Sequence, residues 1–175
     1  MEVGVQERYE IGEVPPIGEV PKYMYASVIR RERFGDPKHA FATEVVETPA
    51  VGRGQVLVWV MAAGINYNNV WASLGYPVDV ISARQKAGQP EDFHIGGSEG
   101  SGVVWAVGDG VTSVAVGDHV VLAGAQWDEQ ADDVRAGLDH PISTSMRAWG
   151  YETTTGLSHN SVWCPTSSAI PSPSG

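Results

Sequence analysis

The clearest apolar run in the chain is Gln55-Val56-Leu57-Val58-Trp59-Val60-Met61-Ala62-Ala63, rich in β-branched residues and bounded by Gly54 and Gly64. Its length and glycine borders predict a strand buried on both faces rather than a helix. Upstream, where the folded body begins near Met24, Tyr25-Ala26-Ser27-Val28-Ile29-Arg30 and the stretch from Phe41 to Glu47 read as two further strands. After Gly64 the pattern changes to Ile65-Asn66-Tyr67-Asn68-Asn69-Val70-Trp71-Ala72-Ser73-Leu74-Gly75. Asparagine is a favoured N-cap, Val70, Trp71 and Leu74 fit one helical face, and Gly75 is a natural stop, so a short helix starts at a polar strand end. From Ile95 to Val111 a glycine-rich stretch predicts one bent strand, and Ser113 to Leu122 predicts a turn and another strand. Short strands with glycine corners imply a mainly β fold with short helices, a small and partly open β-barrel.

The ends and one internal stretch break this pattern. Residues 1–23 are polar and rich in Val, Pro and Gly, and their prolines predict an extended arm lying on a neighbouring surface. The body spans 24–153, with an exposed acidic insertion at about 126–146 that holds Asp128, Glu129, Asp132 and Asp133. Residues 154–175 end in a Pro/Ser-rich run with almost no core-forming capacity, and disorder is expected there.

Composition narrows the function. At 175 residues the chain holds one domain with a real core, and its formal net charge of −10 argues against a nucleic-acid partner. The basic group Arg30, Arg31 and Arg33 is interrupted by Glu32 and fits a solvated strand edge or turn. A single cysteine, Cys164, excludes an intrachain disulfide and a thiolate-rich zinc site. No signal-peptide pattern opens the chain, and no run approaches the roughly 20 apolar residues of a membrane span, so a cytoplasmic protein without a membrane partner is expected.

Among the motifs, Gly97-Ser98-Glu99-Gly100-Ser101-Gly102 lacks the order of a dinucleotide fingerprint and leads into more strand, so its glycines serve bends. His39, His94, His119, His140 and His159 are dispersed, and no metal site is expected. Asn66, Asn68 and Asn69 are more informative: three carboxamides at a helix start can bind an oxygen-rich or anionic ligand, or can merely cap the helix and satisfy the loop. Trp149-Gly150-Tyr151-Glu152-Thr153 sets an aromatic beside a carboxylate, which packing and a surface charge would also explain.

Together Ala62-Ala63-Gly64-Ile65-Asn66, Gly97-Ser98-Glu99-Gly100-Ser101-Gly102-Val103-Val104 and Val116-Gly117-Asp118-His119-Val120 resemble the medium-chain dehydrogenase/reductase superfamily, whose first domain is a GroES-like barrel. Where its zinc alcohol dehydrogenases carry a cysteine and a histidine, this chain has Asn66 to Asn69 and Ser98, so the likeness is to the zinc-free branch. More narrowly, the segments Gly12 to Pro16, Met24 to Ala26, Ile29 to Arg33, Val60 to Trp71 and Trp149 to Thr153 resemble the crotonyl-CoA carboxylase/reductases. The resemblance implies the amino-terminal domain of an NADPH-dependent enzyme that reduces an α,β-unsaturated acyl-CoA and carboxylates the enolate with carbon dioxide. It implies a carbon dioxide pocket drawing on Asn66, Asn68 or Asn69 together with Tyr151 and Glu152. Tyr76-Pro77 also resembles the Tyr-Pro of related enoyl reductases, which implies a supporting role in protonation for Tyr76.

The partners so implied are an acyl-CoA thioester and carbon dioxide, with a homo-oligomer left open. The likeness is expected to stop after Thr153, short of the Rossmann domain. Back-translated freely, Thr155 to Gly175 can encode a family-like Gly-Ser-Leu-Ala-Gln-Phe-Cys segment in another frame, so a frameshifted tail is expected. A chain of this kind should bind no nicotinamide cofactor and be inactive alone. The alternatives are a stand-alone GroES-like interaction module, or part of a zinc-free quinone or enoyl reductase.

Overall fold

The computed structural model describes residues 6–153 together with the backbone of 161–165 and 169–171. Its strands are β1 (Tyr23–Arg30), β2 (Phe41–Glu47), β3 (Gln55–Ala63), β4 (Phe93–Ile95), β5 (Gly100–Val107), β6 (His119–Leu122), β7 (Ala125–Gln126), β8 (Arg147–Ala148), β9 (Ser161–Pro165) and β10 (Ala169–Pro171). Four short helices intervene: α1 (Pro37–Ala40), α2 (Tyr67–Leu74), α3 (Val80–Lys86) and α4 (Asp132–Arg135). The strands form a three-stranded sheet β2-β1-β4, a five-stranded sheet β10-β6-β5-β3-β9 and a β7-β8 pair, and every pairing is antiparallel. No closed barrel is formed among the described residues, in keeping with the partly open architecture expected.

β3 starts and ends where the apolar run does, and Val56, Leu57, Val58 and Trp59 are buried in succession. Consecutive burial means both faces are covered: Val56 and Val58 pack with Val104, Val120, Leu122 and Trp149, while Trp59 packs with Val103 and Trp105. Where β3 meets β5 the register shifts twice, and a Cβ at Gly102 would lie 2.1 Å from the Trp59 carbonyl oxygen. Only glycine lets the two backbones come that close.

Three features depart from the sequence reading. The single bent strand expected over 95–111 is two strands in different sheets, because Gly96-Gly97-Ser98, with Gly97 at φ +103, lifts the chain from one sheet to the other. α3 was not anticipated; it is capped by Asp79, whose carboxylate accepts from the Ser82 amide. Of the tail, expected to be disordered, residues 161–165 and 169–171 form β9 and β10, which pair with β3 and β6, and the rest of that expectation lies outside the described residues. Main-chain pairing with an open sheet edge needs little core-forming capacity, and Ser161-Val162-Trp163-Cys164 has the β-branched and aromatic residues strands favour.

In the arm, Pro15 and Pro21 are buried and the Glu19 carbonyl accepts from Trp105 Nε1 at 3.0 Å. The basic group is not simply solvated. Arg30 pairs with Glu44 at 2.8 Å and with Asp92 at 2.9 Å, and Arg33 pairs with Glu44 at 2.6 Å, which ties β1, β2 and the approach to β4. The hydrogen bond from Arg30, aided by Arg33, holds the Glu44 carboxyl below its ordinary range. A depressed carboxylate stabilises the fold above its unfolded pKa, and that contribution is lost as pH falls through the folded value. Acid titration followed by urea denaturation should therefore show stability dropping below the ordinary glutamate range, with a shallower drop in Glu44→Gln; equal slopes would exclude Glu44 as a contributor.

Candidate functional site

The strongest β3 signal ends in Ala62-Ala63-Gly64, and the polar residues that follow start α2. Asn66 has extended backbone (φ −135°, ψ 171°), and its Oδ1 accepts from the Asn68 amide at 3.0 Å. It is the helix cap, and no hydrogen bond among the described residues engages its Nδ2. Its two neighbours reach outward to the glycine corner: Asn68 Nδ2 donates to Ser98 Oγ at 3.1 Å, and Asn69 Oδ1 accepts from the Gly97 amide at 2.8 Å. The asparagines allowed two readings, ligand binding or capping and loop satisfaction, and these three bonds are of the second kind: Asn66 caps the helix while Asn68 and Asn69 hold the glycine corner. Asn66 and Asn68 line an open groove of about 880 Å³ with Gly64, Ser98, Glu99 and Ser101.

The second segment is a tight turn that follows β8. Glu152 donates its amide to the Ala148 carbonyl at 2.9 Å, and its Oε2 accepts from the Ala148 amide at 2.8 Å, so the carboxylate closes the turn it belongs to. Gly150, at φ +63, donates to Thr153 Oγ1 at 3.1 Å. Tyr151 is half-buried against Ile29, Ala72 and Ile81, and therefore against α2 and α3.

What joins the two segments is backbone contact. A Cβ at Gly150 would lie 2.2 Å from the Gly97 carbonyl oxygen and 2.7 Å from the Gly97 nitrogen, the same amide that Asn69 holds. The carboxylate of Glu152 does not share the asparagine groove. It lines a separate cavity of about 790 Å³ with Arg30, Glu47, Asp92 and Arg147, and the two spaces have no lining residue in common. Tyr76 lies beyond the opposite end of α2, 65% exposed, with its ring 6.3 Å from that of Trp71.

Sequence reasoning missed Ser98 and Gly97 as partners of the asparagines, and His94 altogether. Fully buried in β4, His94 sets Nε2 2.7 Å from the Gly150 carbonyl oxygen. Burial first, then the Arg84 guanidinium nearby, pull its pKa down to about 3, so the ring is neutral at physiological pH. The spacing of the histidines gave no signal for this, because the contact is made by one ring and one carbonyl far apart in the chain.

No group of three or more metal-ligating side chains is assembled among the described residues. The glycine-rich stretch Gly97 to Gly102 connects β4 to β5, two strands, whereas a pyrophosphate is held at a helix N-terminus. No described helix is long and apolar enough to cross a membrane.

Two sheets, a glycine corner and a polar helix start thus define the chain's class, and residues 52–174 match the alcohol dehydrogenase GroES-like domain family, to which this chain belongs. That match runs past Thr153, where the sequence reading ended the likeness. Within the family, the chain is 50% identical over 151 residues to the crotonyl-CoA carboxylase/reductase of Cereibacter sphaeroides, spanning 86% of this chain and 34% of that protein. Among solved structures, crotonyl-CoA carboxylase/reductase AntE in complex with NADP superposes with a TM-score of 0.90 at 55% identity, over 95% of this chain and 41% of that one. The 2-octenoyl-CoA carboxylase reductase CinF, in complex with NADP and 2-octenoyl-CoA, gives 0.77 at 30% identity over 87% and 37%. The likeness to crotonyl-CoA carboxylase/reductases drawn from the motifs holds, and the chain spans about a third of the length of the curated relatives it matches.

Proposed function

We propose that this chain supplies the carbon dioxide side of the active site of a reductive carboxylase acting on α,β-unsaturated acyl-CoA, of the crotonyl-CoA to ethylmalonyl-CoA type. The observation that carries the reading is the packing of Gly150 on Gly97, which joins the asparagine end of α2 to the Tyr151-Glu152 turn. In such an enzyme NADPH, when bound, would supply a hydride to the β-carbon. The α-carbon of the resulting enolate then attacks the carbon of carbon dioxide, a carbon–carbon bond forms, and the product leaves as a carboxylate.

Carbon dioxide is uncharged, with weakly accepting oxygens, so it suits carboxamide donors better than an ionic clamp. Asn66 is the best placed of the three: it lines the groove with its nitrogen unengaged among the described residues, whereas the Asn68 nitrogen is given to Ser98 and Asn69 does not line that groove. Tyr151 closes the α2 side against water, which would otherwise protonate the enolate. Glu152 shapes the turn from within, through its bond to the Ala148 amide. Tyr76, by its likeness to the Tyr-Pro of enoyl reductases, would support protonation of the enolate.

Purified chain supplied with NADPH, crotonyl-CoA and bicarbonate should show no NADPH oxidation, because its glycine-rich corner joins two strands and sets no helix N-terminus at a pyrophosphate. Joined to the nucleotide-binding domain of a relative, the same chain should oxidise NADPH and release ethylmalonyl-CoA. In that fusion Asn66→Ala should divert product toward butyryl-CoA by about tenfold, the scale of one lost hydrogen bond. An unchanged product ratio would remove Asn66 from the pocket.

A further inference from the structure

The buried histidine of β4 takes no part in that chemistry, yet its one side-chain hydrogen bond among the described residues is to the turn that carries Tyr151 and Glu152. A carbonyl oxygen can only accept, so with Nε2 at 2.7 Å from the Gly150 oxygen the proton sits on Nε2 and Nδ1 is bare. Nδ1 has no hydrogen-bond partner among the described residues. The ring is also fully buried, so it is held against solvent exchange at the point where the turn meets the three-stranded sheet.

The turn's other bonds set its shape more than its direction. Gly150 N–H to Thr153, Tyr151 and Glu152 N–H to the Ala148 carbonyl, and Ala148 N–H to Glu152 are all internal. Its start is tied outward by the Trp149 amide, which donates to the Gly124 carbonyl at 3.0 Å just beyond β6. His94 supplies a tie from the other sheet, and it does so at Gly150, the residue whose backbone presses on Gly97 and hence on Asn69. A brace therefore runs from α2 through Asn69, Gly97 and Gly150 to β4.

We propose that His94 is a positioning residue that, through the Gly150 carbonyl, sets how the Tyr151-Glu152 turn is presented to the asparagine end of α2. Its relevance to catalysis rests on the reading of those residues given above; the brace is tested without turnover. In the intact 175-residue chain, imidazole nitrogen shifts should report a neutral Nε2–H tautomer for His94. An Nδ1–H tautomer would overturn the proposal, whatever any variant does.

Amide exchange then separates orientation from packing. His94→Leu fills space but cannot donate, whereas the side-chain nitrogen of His94→Gln can reach the same carbonyl. The Tyr151 and Glu152 amides should exchange about tenfold faster in the leucine variant, the scale of one buried hydrogen bond. Protection at Val58 and Val104, deep in the other sheet, should be unchanged, and glutamine should restore most of the loss at the turn. Equal acceleration in both variants, or none in either, refutes the role. Should His94→Leu fail to fold, the tautomer and the glutamine variant decide. A fusion enzyme that makes no carboxylated product while the brace behaves as described would count against the functional reading alone.

Discussion

Gly150→Ala is expected to remove on the order of 3 kcal/mol of folding stability, and to do so at the site rather than at a surface turn. Two costs add. Gly150 sits at φ +63, where an L-residue pays about 1–2 kcal/mol for the left-handed conformation. The new methyl group would also lie 2.2 Å, 2.5 Å and 2.7 Å from the oxygen, carbon and nitrogen of Gly97, all backbone atoms with no rotamer to escape into. Overpacking of that kind costs about 1–3 kcal/mol more. Gly88→Ala is the control: at φ +90 it bears the conformational cost, but nothing lies within 4 Å of its would-be Cβ. Urea denaturation should rank Gly150→Ala clearly below Gly88→Ala. If the two variants lose equal stability, the contact between the turn and the glycine corner is slack, and the brace from Asn69 to His94 has no rigid middle. Relief of the clash would displace Gly97, so the Gly97 amide, held by Asn69 in the native fold, should lose exchange protection in the same variant.

How far the sequence disclosed this arrangement depends on the range of each interaction. β3 and α2 were legible to within a residue, because an apolar run between glycines, and an asparagine cap with a glycine stop, are local signals. α3 was legible in principle: Asp79 three residues before Ser82 is a cap, but Pro77 just upstream and the weak pattern of Val80-Ile81-Ser82-Ala83-Arg84 hid it. The division of the glycine-rich stretch into β4 and β5 was not, since glycines permit a bend without saying which sheet each side joins. The same holds for the site. Its asparagines and its aromatic-carboxylate pair stand out in the sequence, whereas the Gly97–Gly150 contact and the His94 bond arise only when β4, α2 and the turn are brought together. β9 and β10 were missed because an edge strand is recruited by the partner's open backbone as much as by its own pattern.

Trp149→Ala should be the most damaging truncation of a side chain near the site, costing about 3–5 kcal/mol. Against a total of roughly 5–15 kcal/mol for a domain, that is enough to leave a substantial unfolded fraction. Trp149 is 1% exposed and packs with Val56, Val58, Val104, Val114, Val120 and Leu122, so its loss opens a void where β3, β5 and β6 meet. It is also the residue before Gly150, and the indole therefore fixes the start of the turn that His94 ties down one residue later. Trp149→Phe keeps a ring in the site and should recover much of the loss. Trp127→Ala provides the comparison: that indole is half-buried in the acidic insertion and stacks on His140 at 4.4 Å, a contact worth about 0.5–1.5 kcal/mol beyond its area. Thermal unfolding followed by far-ultraviolet circular dichroism should place Trp149→Ala well below Trp127→Ala. A reversed order would mean that the insertion, not the five-stranded sheet, anchors the turn, and the Tyr151-Glu152 segment would then be positioned from the side facing β7 and β8 instead of from the core.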